Sequence, residues 1–202
     1  MQGLLSVSKL IDRWSNLVGS FMKWLILGST VVSAVNAIVR KAFDIGSNAF
    51  LEIQWYFFAT SFLLAAGYTL LNNEHVRIDV ISGKFSKRGQ TWIDIFGLVC
   101  FLIPVCLAII WFSTPLFLQA YRSHEVSANA GGLTLWPIYM MLPLGFAFLL
   151  LQAISELIKR FAFLRGLIAD PTAKHIEKSA EEELAEAIRL RTEAAEAALL
   201  AK

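Results

Sequence analysis

The hydrophobic positions of this chain fall into four long runs that are separated by short polar segments. The runs cover residues 17–39, 50–71, 92–113 and 133–158. Each has about the 20 residues that an α-helix needs to cross the hydrocarbon core of a bilayer. Because the runs are continuously apolar and do not alternate as membrane barrel strands do, helices are the predicted form. The pattern therefore predicts an all-α integral membrane protein with four transmembrane helices.

The composition agrees with a membrane protein. Of the 202 residues, 56% are hydrophobic and 17% are charged, whereas soluble domains carry about 25% charged residues. The first run is not followed by the small-residue pattern of a cleavage site. We therefore expect a retained first helix, and a chain that crosses the membrane four times.

Lysine and arginine are distributed unevenly between the two sides that this topology defines. One side carries Lys9, Arg13, Arg77, Lys84, Lys87, Arg88, Lys159, Arg160 and Arg165, and the other carries Arg40, Lys41 and Arg122. Cytoplasmic loops of membrane proteins are enriched in these residues. The bias predicts that both termini and the loop 72–91 are cytoplasmic.

The last part of the chain differs in composition from the rest. Residues 169–202 are charged and rich in Ala and Glu. Asp170 and Pro171 fit the N-cap and first position of a helix. We expect a transmembrane domain over residues 1–168, followed by a cytoplasmic helical tail over 169–202. That tail is either a solvated helix or a docking helix for a partner.

The residues that usually carry redox, metal or hydrolytic chemistry lie in unsuitable places. His75, His124 and His175 lie outside the runs, so they do not form the paired intramembrane ligands of a haem. Cys100 and Cys106 share one run without the spacing of a redox pair. No phosphate-binding loop, zinc spacing or nucleophile–base pair is present in the sequence. We expect a protein that is not an enzyme, with no cofactor or metal and no nucleic-acid partner.

A few polar residues fall within the apolar runs. An ionisable residue inside a membrane span is by default a candidate functional residue. Glu52, with Gln54 beside it, is predicted near the outer interface in the first turn of the second helix. Both are candidates for contact with a partner, and Glu52 is also a candidate for a direct role in transport. Asp94 is predicted at the inner start of the third helix, where the helix dipole or an arginine favours an acid. Gln152 is suited to hydrogen bonding between helices.

The loop 72–91 reads NNEHVRIDVISGKFSKRGQT and carries the most specific pattern in the chain. Its core is His75, Val76, Arg77, Ile78 and Asp79, followed by the basic pair Lys87 and Arg88 and then by Asp94. Together with the four runs, it resembles the small membrane subunit of tripartite ATP-independent periplasmic (TRAP) transporters, the DctQ type. The resemblance covers about residues 10–168. It marks His75, Arg77, Asp79 and Asp94 as family motif residues.

The resemblance implies a role that composition and spacing do not show. Such subunits pair with a large, elevator-type permease subunit that carries the substrate and sodium sites. A periplasmic solute-binding protein delivers the substrate, often an organic acid. The small subunit extends the static scaffold in the bacterial inner membrane. Sodium is therefore expected in the large partner and not in this chain.

Two loops are candidates for contact with lipids or with partner proteins. The loop 72–91 alternates apolar residues and cations, which suits a segment that lies in the membrane interface against anionic lipids. The outer loop 114–132 carries Arg122, His124 and Glu125. Because loops often carry binding function, we expect these three residues to contact the binding protein or the large subunit.

Two other functions stay open from the residues alone. A self-contained small exporter or channel is expected to work without partners and to depend on Glu52. A membrane anchor subunit of a redox complex is expected to show a pigment or reactive thiols. A colourless protein that co-purifies with a large multi-span partner supports the transporter subunit instead.

Overall fold

Four long helices make up the protein in the computed structural model, which describes residues 2–44, 46–75, 85–169 and 171. They are α1 (Gln2–Phe43), α2 (Asn48–Leu71), α3 (Lys87–Ser123) and α4 (Trp136–Leu164). All four are long and apolar enough to cross a membrane. The described residues contain no strand beyond an isolated bridge between Val126 and Thr134. Over the described residues, the predicted all-helical architecture with four helices of membrane-spanning length and composition is confirmed.

Two of the sequence predictions concern residues that the structure does not describe. The four helices belong to the compact unit Met1–Ala169, and the predicted tail falls in the unit Asp170–Lys202. Of that second unit the structure describes Pro171 alone. The tail helix and the motif residues Arg77 and Asp79 therefore lie outside the described residues. The cytoplasmic placement of both termini stays a prediction.

Helix α4 is the centre of the bundle. It packs against each of the other three helices, and α1 and α2 also pack against each other. The buried apolar core consists of Leu70, Leu98, Cys106, Leu149 and Ala153. The outward faces stay apolar, as expected for helices that face lipid or another membrane subunit. The exposed hydrophobic side chains are therefore compatible with a bilayer.

Helices α2 and α4 approach each other closely at Gly145. A Cβ atom at this position would lie 2.9 Å from both the Cβ and the backbone oxygen of Leu63. Small residues at membrane helix contacts allow two backbones to come together in this way. Gly145 therefore sets the spacing between the central helix and α2.

Helix α1 is much longer than its apolar run. It has 42 residues and, at 1.5 Å per residue, a length of about 63 Å. That is about twice the thickness of the hydrocarbon core. The helix begins at Gln2 because its first turns place Ser8, Asp12 and Ser15 against α4, where their side chains are bonded. These polar residues lower the local hydropathy, so the apolar pattern alone predicts a later start.

Helix α3 contains a π-helical turn at Leu98–Leu102. The N–H of Ile103 bonds to the carbonyl of Leu98, five residues back. Pro104 follows, and it has no N–H to donate to the carbonyl of Cys100. The wider turn is a known way for a helix to absorb such an interruption and remain continuous.

The close contact at Gly145 makes a stability prediction. We expect Gly145→Ala to lower the free energy of unfolding by about 1–3 kcal/mol, because the new methyl group forces α2 and α4 apart. Thermal or detergent unfolding of the purified chain measures this. Gly97→Ala is the matched control, since a Cβ there has no neighbour within 4 Å. An equal loss of stability in the two variants would contradict the close-packing explanation.

Candidate functional site

Polar side chains gather in two clusters at opposite ends of α4. The first, the α1–α4 cluster, lies towards the C-terminal end of α4. It comprises Ser8, Asp12, Ser15, Asp94, Gln152, Ser155, Glu156, Lys159 and Arg160. The second, the Glu52 clamp, lies at the N-terminal end of α4 and comprises Glu52, Ser127, Asn129 and Leu133. Both link residues that are far apart in the chain.

Asp12 joins α1 to α4 in the α1–α4 cluster. Its Oδ1 accepts hydrogen bonds from Ser155 Oγ at 2.8 Å and from Gln152 Nε2 at 3.0 Å. Its Oδ2 accepts from Lys159 Nζ at 3.1 Å. Both carboxylate oxygens are thus engaged, and the charge of Asp12 is balanced by a lysine on α4.

Arg160 joins α4 to α3. Its side chain is only 1% exposed, and its Nη1 pairs with the Glu156 carboxylate one turn earlier. Its Nε and Nη2 lie 3.3 Å and 3.2 Å from Oδ2 of Asp94 on α3. Lys159 also pairs with Glu156. A continuous series of ion pairs therefore runs from α1 through α4 to α3.

Hydroxyl and amide groups complete the same cluster. Ser8 Oγ lies 2.7 Å from Ser155 Oγ, and Ser15 Oγ donates to Gln152 Oε1 at 2.7 Å. The prediction that Gln152 hydrogen-bonds between helices is confirmed. Within the described residues, every buried side-chain nitrogen and oxygen has a partner. Because an unpartnered buried polar group is costly, this complete pairing holds the helices in one arrangement.

Most of the α1–α4 cluster was not predicted from the sequence. Lys159 and Arg160 were counted only among the cations that set the orientation, and the structure shows both in ion pairs. A signal was present: polar residues recur at helical spacing on one face of α1 and on one face of α4. The positions are Ser8, Asp12 and Ser15 on α1, and Gln152, Ser155, Glu156 and Lys159 on α4.

Glu52 is the centre of the second cluster. It is 2% exposed, and its Oε1 accepts from Ser127 Oγ and, at 2.9 Å, from Asn129 Nδ2. Its Oε2 accepts the backbone N–H of Leu133 at 2.6 Å. The carboxylate thus binds the connection between α3 and α4 at three points and attaches it to α2.

Two further bonds from α2 hold the same connection. Tyr56 Oη donates to the Thr134 carbonyl at 3.1 Å, and Asn48 Nδ2 donates to the Ala130 carbonyl at 3.1 Å. At the end of α3, His124 adopts the left-handed conformation with φ +50° and turns the chain out of the helix. Residues 124–135 therefore form an ordered cap on α2 and not a free loop.

The remaining predicted site residues lie at or near the surface. Arg122 and His124 are exposed, and Glu125 and Gln54 are half-buried. His75 is exposed beyond the end of α2. Contacts of Gln54, Arg122, His124 and Glu125 with partner proteins stay predictions, as does the motif role of His75. In the described part of the chain, no group of three or more His, Cys, Asp or Glu residues could hold a metal ion.

Comparison with known proteins identifies a family to which this chain is similar. The family model described as "Tripartite ATP-independent periplasmic transporters, DctQ component" matches residues 29–163, which is well over half of the chain. The match includes Glu52 and its partners and the α3 and α4 members of the α1–α4 cluster. It leaves out Ser8, Asp12 and Ser15. No curated protein and no solved structure matches the chain.

The buried ion pairs make a prediction about stability. We expect Arg160→Met to lower the free energy of unfolding by about 3–5 kcal/mol, because it removes the buried guanidinium to which the carboxylates of Glu156 and Asp94 bind. Replacing both members, as Arg160→Met with Glu156→Leu, should recover part of that loss. Chemical unfolding of the purified chain measures both. The control is Arg165→Met, an exposed arginine one residue beyond α4, and an equal loss there would contradict a specific role for the pair.

The Glu52 clamp makes a prediction about local order. Glu52→Gln removes the negative charge of the side chain that accepts three hydrogen bonds, and hydrogen bonds to a neutral acceptor are weaker than those to a carboxylate. We expect amide hydrogen exchange over residues 127–133 to become at least roughly tenfold faster. Glu125→Gln, the same change within the cap, should leave these rates unaltered. Unchanged exchange in Glu52→Gln would show that the clamp does not hold the cap.

Proposed function

The chain belongs to the DctQ component family of tripartite ATP-independent periplasmic transporters, and from this we propose that it scaffolds a large elevator-type permease subunit during sodium-coupled uptake of an organic acid. Family membership makes it a small membrane subunit of a transporter. It also implies partnership with a large permease and with a periplasmic binding protein. The four apolar helices agree with a multi-pass membrane protein. We place it in the bacterial inner membrane.

The observation that carries the scaffold proposal is that the buried charged side chains of the described residues are bonded inside the chain. Glu52, Glu156 and Arg160 are each at most 2% exposed, and each is bonded within the chain. A site that binds and releases a substrate or an ion needs groups that are free to change partners. Here the charges lock helices and a connection in place, which suits a static part of a transporter. The proposal therefore assigns the sodium and substrate sites to the large subunit, with no cofactor in this chain.

The cap formed by residues 124–135 supports a second part of the proposal. Its backbone is held by α2, so its exposed side chains, together with Arg122 at the end of α3, keep a defined arrangement. A surface that is already ordered loses less conformational freedom when a partner binds. We assign Arg122, His124 and Glu125 to contact with the periplasmic binding protein or with the outer rim of the large subunit. Mixed charge gives this surface specificity and favours transient docking.

The scaffold role is tested by reconstitution into proteoliposomes. We expect uptake of a labelled organic acid only when this chain, the large permease subunit and the loaded binding protein are all present with a sodium gradient. Co-purification from detergent measures assembly separately from uptake. Uptake by this chain alone would overturn the scaffold proposal and support a self-contained carrier.

The docking surface is tested in the same system. We expect Arg122→Glu combined with Glu125→Arg to raise the binding-protein concentration for half-maximal uptake by about tenfold, as loss of charge complementarity weakens docking. Co-purification with the large subunit should stay normal. Arg40→Glu, at an exposed position near the same end of the bundle, is the control. Unchanged uptake in the double variant would remove the cap from the proposed interface.

A further inference from the structure

Helix α1 carries a second polar face that does not pack on α4. It consists of five exposed residues, Lys9, Arg13, Asn16, Ser20 and Lys23, and is called the polar row below. Their alternating spacing of four and three positions places them in one strip of the helix surface. Within the described residues, none of these side chains has a hydrogen-bond or ion-pair partner. The polar row is therefore not used by the fold.

The positive charge of the polar row is not neutralised by its nearest acid. Asp12 lies in the same shallow groove of about 400 Å³, whose lining also includes Lys9 and Arg13. The Asp12 carboxylate is already engaged by Ser155, Gln152 and Lys159 across the helix contact. The groove thus presents two free cations from one turn of α1 to its surroundings.

The position of the polar row along α1 matches the membrane surface. The same strip of the helix continues with the apolar residues Leu27, Val31, Ala34 and Ile38, and ends at Lys41. The apolar run 17–39 is about 33 Å long along the axis, close to the roughly 30 Å of a hydrocarbon core. The boundary of the core therefore lies near Leu17. Arg13 and Asn16 then lie within about 6 Å of this boundary, at the level of the headgroups, and Lys23 lies about 9 Å inside it.

We propose that the polar row binds the phosphate headgroup of an anionic phospholipid at this membrane surface. Side chains on a helix tilt towards its N-terminus, so Lys23 snorkels outward from the core and its cation approaches the headgroup level at which Arg13 lies. Asn16 and Ser20 lie between them and donate neutral hydrogen bonds to phosphate or ester oxygens. Arginine adds a bidentate contact to phosphate oxygens.

The residues on the next strip of α1 favour a lipid over a polar protein partner. Leu17, Phe21 and Trp24 lie there and are exposed, so acyl chains find apolar contact directly below the headgroup. Trp14 is exposed at the depth where indole rings favour the membrane interface. An acidic protein surface would match the cations and would leave this apolar strip without a partner.

Native mass spectrometry of the purified full chain tests the proposal. The probes are dioleoylphosphatidylglycerol, which is anionic, and dioleoylphosphatidylcholine, which has no net charge. We expect tighter binding of the anionic lipid, and we expect Lys9→Gln combined with Arg13→Gln to reduce that preference by about tenfold. Lys9→Arg combined with Arg13→Lys should keep it. Arg40→Gln combined with Lys41→Gln removes the same charge from the other end of α1 and should change the preference by less than about twofold.

Three results would overturn the proposal. The first is an equal loss of lipid preference in the Arg40 and Lys41 variant, which would indicate a general effect of net charge. The second is displacement of the lipid by millimolar inorganic phosphate, which would indicate a site for free phosphate. The third is cross-linking of Leu10→Cys, an exposed position next to the polar row, to the large permease subunit with loss of lipid binding in the assembled complex, which would indicate a protein contact. A helical circular dichroism spectrum confirms that each variant is folded before binding is compared.

Discussion

The arrangement of the helices depends on how Arg160 is neutralised. A guanidinium that is almost fully buried is tolerated only with carboxylates and hydrogen bonds around it. Glu156 supplies one carboxylate from the same helix and Asp94 supplies another from α3. Glu156 also pairs with Lys159, which in turn pairs with Asp12 of α1. One requirement for charge balance therefore brings three helices together at a single end of the bundle.

Such polar contacts contribute more to the specific arrangement of helices in a membrane protein than in a soluble protein. Between apolar helices in a bilayer there is little hydrophobic gain on association, because lipid tails are as apolar as the side chains they replace. Close packing at Gly145 and the core around Leu149 supply attraction without much directional preference. The ion pairs at one end and the Glu52 clamp at the other fix one relative position of the helices among many with similar apolar packing. A subunit that serves as a static frame needs its helices fixed in this way.

The four helices and the family could be predicted because long apolar runs and the loop motif are local features of the sequence. The beginning of α1 could not, since its polar residues lower hydropathy while their stabilising partners lie about 140 residues away. Glu52 was identified as an acid in a span. Its partners Ser127 and Leu133, however, are 75 and 81 positions distant, and no spacing rule connects them. Arg160 was counted only as a cation that sets the orientation, because charge is visible in a sequence and ion pairing between distant residues is not.

The separation of Asp12 from its partners also has a consequence for biosynthesis. Asp12 precedes Ser155 by 143 positions, so at about 5–20 residues per second the ribosome needs roughly 7–30 s to supply that partner. During this interval Asp12 lacks its partners on α4. Its carboxylate is well solvated at the membrane surface, whereas burial in the bilayer without a partner would be unfavourable. The polar end of α1 therefore waits at the membrane surface until the last helix is inserted. Completion of the bundle is therefore a late event of synthesis, because the polar end of α1 finds its partners only when α4 is present.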